Sequence, residues 1–360
     1  MEIKHLLNAS ITALCIFIFI QQVQQISATA ATTKGKAPAV LIFGDSNVDA
    51  GNNNAIITMI RCDHSPYGQN FPHHLATGRF SNGRNPGDMI ASLLGIKDYV
   101  PAYLGTNLTE YDLLTGVSFA SGGAGYDPLT SELVQVLTMD DQIKMFKEYK
   151  QKIKAIVGEK TAEEIISKSL YVVVSGATDL ANTYFTTPFR RNYDLSSYVQ
   201  LLVQFASKFY QDLYDLGARR ISVTSMPPIG SLPSQRTNAG GIERNTVPLY
   251  NQAAVMYNSE LLKETQRLNK TLHGVSIVFQ DSYTPILDMA QRPSAYGFEV
   301  TDRGCCGTGI FEITLLCNSY TSEPCKDPSK FLFWDTFHLT EKGYTILINE
   351  LVARYGLNVG

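Results

Sequence analysis

The sequence has few charged residues, no surplus of basic ones, no internal repeat and no low-complexity tract. Its charged fraction is 18% and its formal net charge is −3, whereas hydrophobic residues make up 44%. Without a basic surplus the chain has no evident means of holding a polyanion, so we expect no nucleic-acid partner. Without repeats or a dividing linker, its 360 residues are expected to bury one large core.

Only one long apolar run is present, and it lies at the N-terminus. A short basic start precedes Leu6–Ile20, and small residues, Ala28-Thr29-Ala30, follow it. This pattern is typical of a secretory signal peptide at residues 1–30 with an Ala-x-Ala cleavage site. The alternative is a membrane anchor, but the run is shorter than the ~20 residues that a span needs. We therefore expect a secreted, extracellular protein without stable membrane insertion, in which residues 31–360 form a single domain.

Cysteine is scarce, and Cys15 would leave with the signal peptide. Secretion makes the remaining cysteines disulfide candidates, and an odd count leaves at least one of them free or shared between chains. Four of the five lie within 21 residues and are expected to staple the loop before Asp335; zinc is the alternative, but their spacing matches no familiar ligand pattern. The five are Cys62, Cys305, Cys306, Cys317 and Cys325. Asn107 and Asn269 begin Asn-x-Thr glycosylation sites.

Short apolar runs alternate with long amphipathic ones. The apolar run that ends at Phe43-Gly44 predicts a buried strand, and four more strands are predicted at 116–120, 170–174, 220–224 and 275–279. Helical spacing of apolar residues predicts helices at 139–157, 197–216, 247–268 and 341–354. Strands that alternate with helices of this length predict an α/β protein, with a parallel sheet covered by helices on both faces.

Ser46 follows the first predicted strand directly, at the edge where open α/β sheets bind ligands. A serine there is more often a helix cap than a nucleophile, and its neighbours Asp45 and Asn47 do not form a Gly-x-Ser-x-Gly elbow. Near the other end of the chain, Asp335 and His338 are three residues apart, so one turn brings them together. Serine needs a base and the base needs an acid to orient it, so these three residues are a candidate catalytic triad.

Taken together, the motifs resemble those of the plant secreted branch of the GDSL-type SGNH esterases and lipases. The first block is Phe43-Gly44-Asp45-Ser46 with Asp49-x-Gly51-Asn52-Asn53, the second is 116–125, and the last is Trp334-Asp335-x-x-His338. The stretches 77–84 and 227–230 agree as well.

This resemblance implies a three-layer α/β/α sandwich with a flavodoxin-like, five-stranded parallel sheet of order 2-1-3-4-5. It also implies a serine esterase that needs no cofactor and no metal, acts on a small-molecule ester or lipid, and is expected to be a monomer. The family usually has cysteines where this chain has Ser231 and, nearby, Thr246. Their joint absence is what the loss of one disulfide would look like.

The resemblance also implies three donors for the oxyanion of the tetrahedral intermediate. They are the backbone N–H of Ser46, the N–H of Gly122, and a side-chain amide from an Asn in a Gly-x-Asn-Asp block. Here that block reads Gly176-Ala177-Thr178-Asp179, so Thr178 stands where Asn is expected. Threonine is shorter and offers a hydroxyl in place of an amide. This change puts efficient hydrolysis in question, but not the fold.

The leading hypothesis is a serine esterase that works through an acyl-enzyme on Ser46, with His338 as general base and Asp335 orienting it. An acyltransferase would use the same acyl-enzyme with an alcohol as acceptor. A catalytically weak, lipid- or carbohydrate-binding relative is the third possibility.

Overall fold

Four parallel strands form the central sheet of this computed structural model, which describes residues 37–320 and 323–356. The strands stand in the order β1-β2-β3-β4, with Val40 opposite Leu170 and Arg220 opposite Ser276. Their bounds are β1 Val40–Gly44, β2 Leu170–Val174, β3 Arg220–Thr224 and β4 Ser276–Gln280. The predicted signal peptide and Cys15 lie outside the described residues.

The segment 116–120, predicted as a full strand, pairs only through isolated bridges at Ser118, so the five-stranded sheet is corrected to four strands. Ser118 pairs in parallel with Ile42, on the edge of β1 away from β2. The segment therefore occupies the outer position of the predicted order 2-1-3-4-5. Backbone hydrogen bonds join it to β1 on one side, and Ser118 bridges to Ala102 on the other.

Ten α-helices lie in the described part of the chain. The helix predicted at 139–157 is confirmed to the residue, and Thr138 caps it in a reciprocal box with Asp141. The helices are α1 Pro86–Leu93, α2 Glu110–Thr115, α3 Pro128–Leu133, α4 Met139–Val157, α5 Glu159–Lys168, α6 Leu195–Asp215, α7 Pro233–Ala239, α8 Pro248–Thr271, α9 Tyr283–Gln291 and α10 Glu341–Tyr355. A second, two-stranded parallel sheet pairs β5 Val300–Gly304 with β6 Phe331–Phe333.

Alternate residues of β1 face two different helical layers. The ring of Phe43 packs against Phe146 of α4 and Phe209 of α6, at centroid distances of 5.6 and 5.7 Å. Ile42 faces α1 so closely that a Cβ on Gly87 would lie 2.4 Å from its side chain. Helices therefore cover both faces of the sheet, and the α/β sandwich is confirmed.

The described residues from Pro38 onward belong to one compact unit. Within the described ranges, no helix is long and apolar enough to cross a membrane.

The cluster of cysteines staples the loop before Asp335, as predicted. Cys305 is bonded to Cys325 and Cys306 to Cys317, and Cys62 is a free, buried thiol. Because all four clustered sulfurs are joined in pairs, they are not available as zinc ligands.

The positions of the two missing cysteines are neighbours in space. The N–H of Val247 donates to the carbonyl of Gly230 at 2.9 Å, which places the next residues, Ser231 and Thr246, beside each other. Ser231 is buried, and its hydroxyl accepts a hydrogen bond from the Asn251 amide. The chain thus keeps the geometry of a cross-link without its sulfurs.

The double variant Ser231→Cys/Thr246→Cys should form a disulfide on oxidation and raise the thermal midpoint of unfolding. Closing a loop of about 15 residues stabilises a protein by up to ~3 kcal/mol. The measurement is thermal unfolding with and without reductant, with the two single variants as controls. A pair of thiols that stays reduced under oxidising conditions would contradict the proximity argument.

Candidate active site

Ser46 lies on a tight turn that leaves β1. Gly44 adopts a φ of 132°, and a Cβ at this position would lie 1.8 Å from the carbonyl oxygen of Val174, so only glycine fits. The buried carboxylate of Asp45 then accepts the backbone N–H of Asn47 at 3.0 Å and its side-chain amide at 2.9 Å. This local turn leaves Ser46 partly exposed, directly after the buried Asp45.

The structure brings the three predicted triad residues together. The Oγ of Ser46 lies 2.7 Å from Nε2 of His338, and Nδ1 of His338 lies 2.8 Å from both carboxylate oxygens of Asp335. Asp335 is fully buried and His338 is 3% exposed. A continuous hydrogen-bonded chain therefore runs from the serine hydroxyl to a buried negative charge, which is the arrangement that activates a serine nucleophile.

The spacing of Asp335 and His338 works because the acid organises its own turn. Its Oδ1 accepts the backbone N–H groups of Phe337 and His338, both at 2.8 Å. The N–H of Trp334 donates to the carbonyl of His338 at 2.7 Å and closes the turn at the end of β6. The turn that contains both Asp335 and His338 therefore also fixes the imidazole against the carboxylate.

Tyr67 completes the surroundings of Asp335, and sequence reasoning missed it. Its hydroxyl donates to Oδ2 of Asp335 at 2.7 Å and accepts the N–H of Thr314 at 3.0 Å. Tyr67 lies in an irregular, Pro- and Gly-rich stretch outside the predicted strands and helices. No sequence signal indicated a contact between residues 268 positions apart.

The expected role of Gly122 needs correction. Its N–H donates to Oδ2 of the buried Asp49 at 2.9 Å, while Oδ1 of that residue accepts the N–H groups of Gly51 and Asn52. The Gly122 amide therefore links the two sequence blocks and is not available to an oxyanion. The next amide, that of Gly123, has no acceptor among the described residues, and Gly123 is partly exposed.

Thr178 lies just before a π-helical turn, Asp179–Tyr184. It is partly exposed, and its hydroxyl has no hydrogen-bond partner among the described residues. Its neighbour Asp179 is buried and accepts hydrogen bonds from the N–H of Tyr126 at 2.8 Å and the hydroxyl of Thr130 at 2.6 Å. The acid therefore has a structural task, whereas the threonine hydroxyl remains available to a ligand.

Among residues 37–320 and 323–356, no three His, Cys, Asp or Glu side chains are grouped so that they could hold a metal ion. The residues around Ser46 supply a nucleophile, a base, an acid and backbone donors, which suits acyl transfer.

Three buried aspartates in this region have raised pKa values. Burial raises the pKa of Asp45 to about 6, that of Asp49 to about 6 and that of Asp179 to about 7. Hydrogen bonds from neighbouring groups counteract the effect in each case but do not cancel it. Removing a charged carboxylate from water is unfavourable, and the fold keeps all three buried despite this cost.

These shifts predict that the protein is more stable at pH 5 than at pH 8. A folded-state pKa above the ~3.9 of an exposed Asp means that the folded protein binds protons more strongly than the unfolded chain. The contribution to stability is then fully present at low pH and is lost as the pH rises through about 6 to 7. Thermal unfolding measured from pH 5 to 8 checks this.

The variant Asp179→Asn should flatten that pH dependence, because it removes the group with the highest pKa of the three. The matched control is Asp327→Asn, since Asp327 is an exposed residue whose pKa is lowered. A midpoint that is unchanged, or that falls on going from pH 8 to pH 5, would contradict the assignment.

Comparison with known proteins agrees with this geometry. A family model described as GDSL-like lipase/acylhydrolase matches residues 40–351. GDSL esterase/lipase EXL3 of Arabidopsis thaliana is 47% identical over 342 residues, which cover 95% of this chain and 94% of the relative. GDSL esterase/lipase EXL2 of the same plant is 44% identical over 333 residues, which cover 88% of each chain. This chain belongs to the GDSL-like lipase/acylhydrolase family.

Proposed function

We propose that this protein is a serine hydrolase that cleaves carboxylic esters through an acyl-enzyme on Ser46. The observation that carries the proposal is the unbroken hydrogen-bonded chain from Ser46 through His338 to Asp335. Membership of a family of esterases and lipases supports ester hydrolysis as the reaction. An assembled triad favours this function over that of a weakly catalytic binding protein.

In the proposed reaction, Nε2 of His338 accepts the proton of Ser46 as Oγ attacks the ester carbonyl. Asp335 holds the imidazole in the required tautomer and stabilises the imidazolium that forms. The imidazolium then gives its proton to the departing alcohol oxygen and leaves the acyl group on Ser46. A water molecule, deprotonated by His338, releases the acid and restores the serine.

We assign the oxyanion donors as the N–H groups of Ser46 and Gly123 with the hydroxyl of Thr178. Neither amide has an acceptor among the described residues, and the Thr178 hydroxyl has no partner there. Preorganised donors of this kind are often the largest single term in such reactions. The presence of Thr in place of Asn at position 178 therefore affects the rate of the proposed reaction and not the folding of the protein.

We infer further that the protein is secreted and acts on a small-molecule ester or lipid. Two disulfides in one loop support an oxidising compartment. The side chain of Asn107 is exposed on a loop, as a glycan acceptor requires. Asn269 is less suited, because its amide exchanges two hydrogen bonds with the backbone of Ile277 in β4.

Replacing Ser46 by Ala should abolish ester hydrolysis without unfolding the protein. In a comparable triad, loss of the nucleophile lowers kcat by roughly 10⁶. The measurement is turnover of a soluble ester by wild type and variant, with circular dichroism to establish folding. Ser167→Ala, at a partly exposed position of α5, is the control and should keep full activity. Retention of half the wild-type rate by Ser46→Ala would remove Ser46 from the mechanism.

Replacing Thr178 by Asn should raise kcat with little change in KM, because the oxyanion forms only in the transition state. The gain should approach at most the ~10²-fold that one donor supplies. The matched variant Thr178→Val keeps the shape of threonine, removes the hydroxyl and should lower kcat. If Thr178→Asn is no faster while Thr178→Val is slower, threonine is a working substitute and the hole is not impaired.

A further inference from the structure

We propose that Tyr67 is a positioning residue of the catalytic triad. It fixes the carboxylate of Asp335 through its hydroxyl and is itself held by the disulfide-closed loop Cys306–Cys317. This inference rests on the proposed roles of Ser46, His338 and Asp335, and it concerns how the acid of that triad is kept in place.

The direction of each hydrogen bond follows from chemistry alone. The backbone N–H of Thr314 can only donate, so the Tyr67 oxygen accepts there at 3.0 Å. The single phenolic proton then points to Oδ2 of Asp335, at 2.7 Å. Because the turn amides at Phe337 and His338 occupy Oδ1, the hydroxyl of Tyr67 is the second anchor that stops the carboxylate from rotating.

Burial keeps the hydroxyl of Tyr67 protonated, so that it remains a hydrogen-bond donor. Tyr67 is 1% exposed, and its ring meets the rings of Trp334 and Phe80 edge-on at centroid distances of 6.1 and 6.4 Å. Burial, followed by the nearby charge of Asp335, raises the pKa of Tyr67 well above its ordinary value. The phenol therefore stays protonated throughout the pH range in which a histidine acts as base.

The loop that holds Tyr67 is under conformational constraint. Thr314 is buried and has a φ of 46°, which a β-branched residue rarely adopts. The Cys306–Cys317 disulfide closes the loop around it, and the N–H of Cys317 donates to the Thr314 carbonyl at 3.0 Å. An unfavourable backbone at the residue whose N–H donates to the Tyr67 oxygen indicates that this contact is maintained by the surrounding structure.

Several titratable groups face this network from other segments. Asp45 interacts with His338, and Tyr344 interacts with both Asp45 and Asp335. The thiol of Cys62 lies beside Tyr67, with Asp49 and Asp63 near that thiol. Burial raises the pKa of Asp45 and that of Asp49 to about 6, so their protonation falls in the pH range of the acid limb as well.

The test is Tyr67→Phe, which removes one oxygen and keeps the ring. We expect kcat to fall about 10- to 100-fold, the loss that goes with one hydrogen bond to a charged group, while KM changes less than about twofold. The acid limb of the kcat/KM profile should move to higher pH. Without the phenolic donor Asp335 is a stronger base, so it stabilises the protonated imidazole of His338 more strongly.

The matched control is Tyr171→Phe, which deletes another buried hydroxyl that donates to the carbonyl of Ile166 at 3.0 Å, and it should leave both kcat and the acid limb unchanged. A second variant carries a fluorinated tyrosine at position 67. Its more acidic phenol donates more strongly in nearly the same shape, so the acid limb should move to lower pH. This variant also keeps the inference testable if Tyr67→Phe does not fold.

The proposal is overturned if a folded Tyr67→Phe or fluorotyrosine variant shows the wild-type acid limb. It is equally overturned if Tyr67→Phe loses no more activity than Tyr171→Phe. Ester hydrolysis that persists in Ser46→Ala would refute the proposed function instead, so the two failures are distinguishable.

Discussion

The active site depends on one buried negative charge. Asp335 is fully buried and makes no contact with Lys or Arg among the described residues. A charge removed from water in this way is tolerated only if hydrogen bonds replace the water. Donors come from its own turn, from the imidazole of His338 and from Tyr67, whose oxygen is held in turn by Thr314. The hydrogen bonds to this carboxylate join the segment around Tyr67, the disulfide-closed loop that contains Thr314, and the turn from Asp335 to His338. The same bonds hold the triad together.

Two other buried acids join loops by the same means. Asp49 accepts hydrogen bonds from backbone N–H groups of its own turn and from that of Gly122. Asp179 accepts them from the N–H groups of Tyr126 and Asp127 and from the Thr130 hydroxyl. The irregular segments at the carboxyl edge of the sheet are thus held largely by carboxylates that accept N–H groups from distant segments. One consequence is chemical, because Asp49 engages the amide of Gly122 and leaves that of Gly123 without a partner.

Much of the fold could be predicted from the sequence because its signals are local. The apolar runs and the helix Met139–Val157 are visible in residue spacing, and Asp335 and His338 are close because one turn separates them. The proximity of Ser46 to His338 was expected because a serine nucleophile needs a base, and because of the family resemblance.

The misses have a different physical origin, since each depends on a contact between segments far apart in the chain. Tyr67 reaches Asp335 across a loop whose path has no periodic signal, and the Gly122 amide is captured by an acid 73 residues away. Periodicity predicts elements well, but it carries no information on which buried acid accepts which amide.

The Thr178-Asp179 pair illustrates how fold and rate are separated at this site. Asp179 supports the structure through several buried hydrogen bonds, so replacing it would disturb the loops around Tyr126 and Thr130. Thr178 makes no such side-chain contact among the described residues, and its hydroxyl is partly exposed. A change at position 178 is therefore expected to cost little in stability. Under the proposed function, its effect would fall on the charge that develops in the transition state. The acid beside it, by contrast, is tied to the fold by its hydrogen bonds.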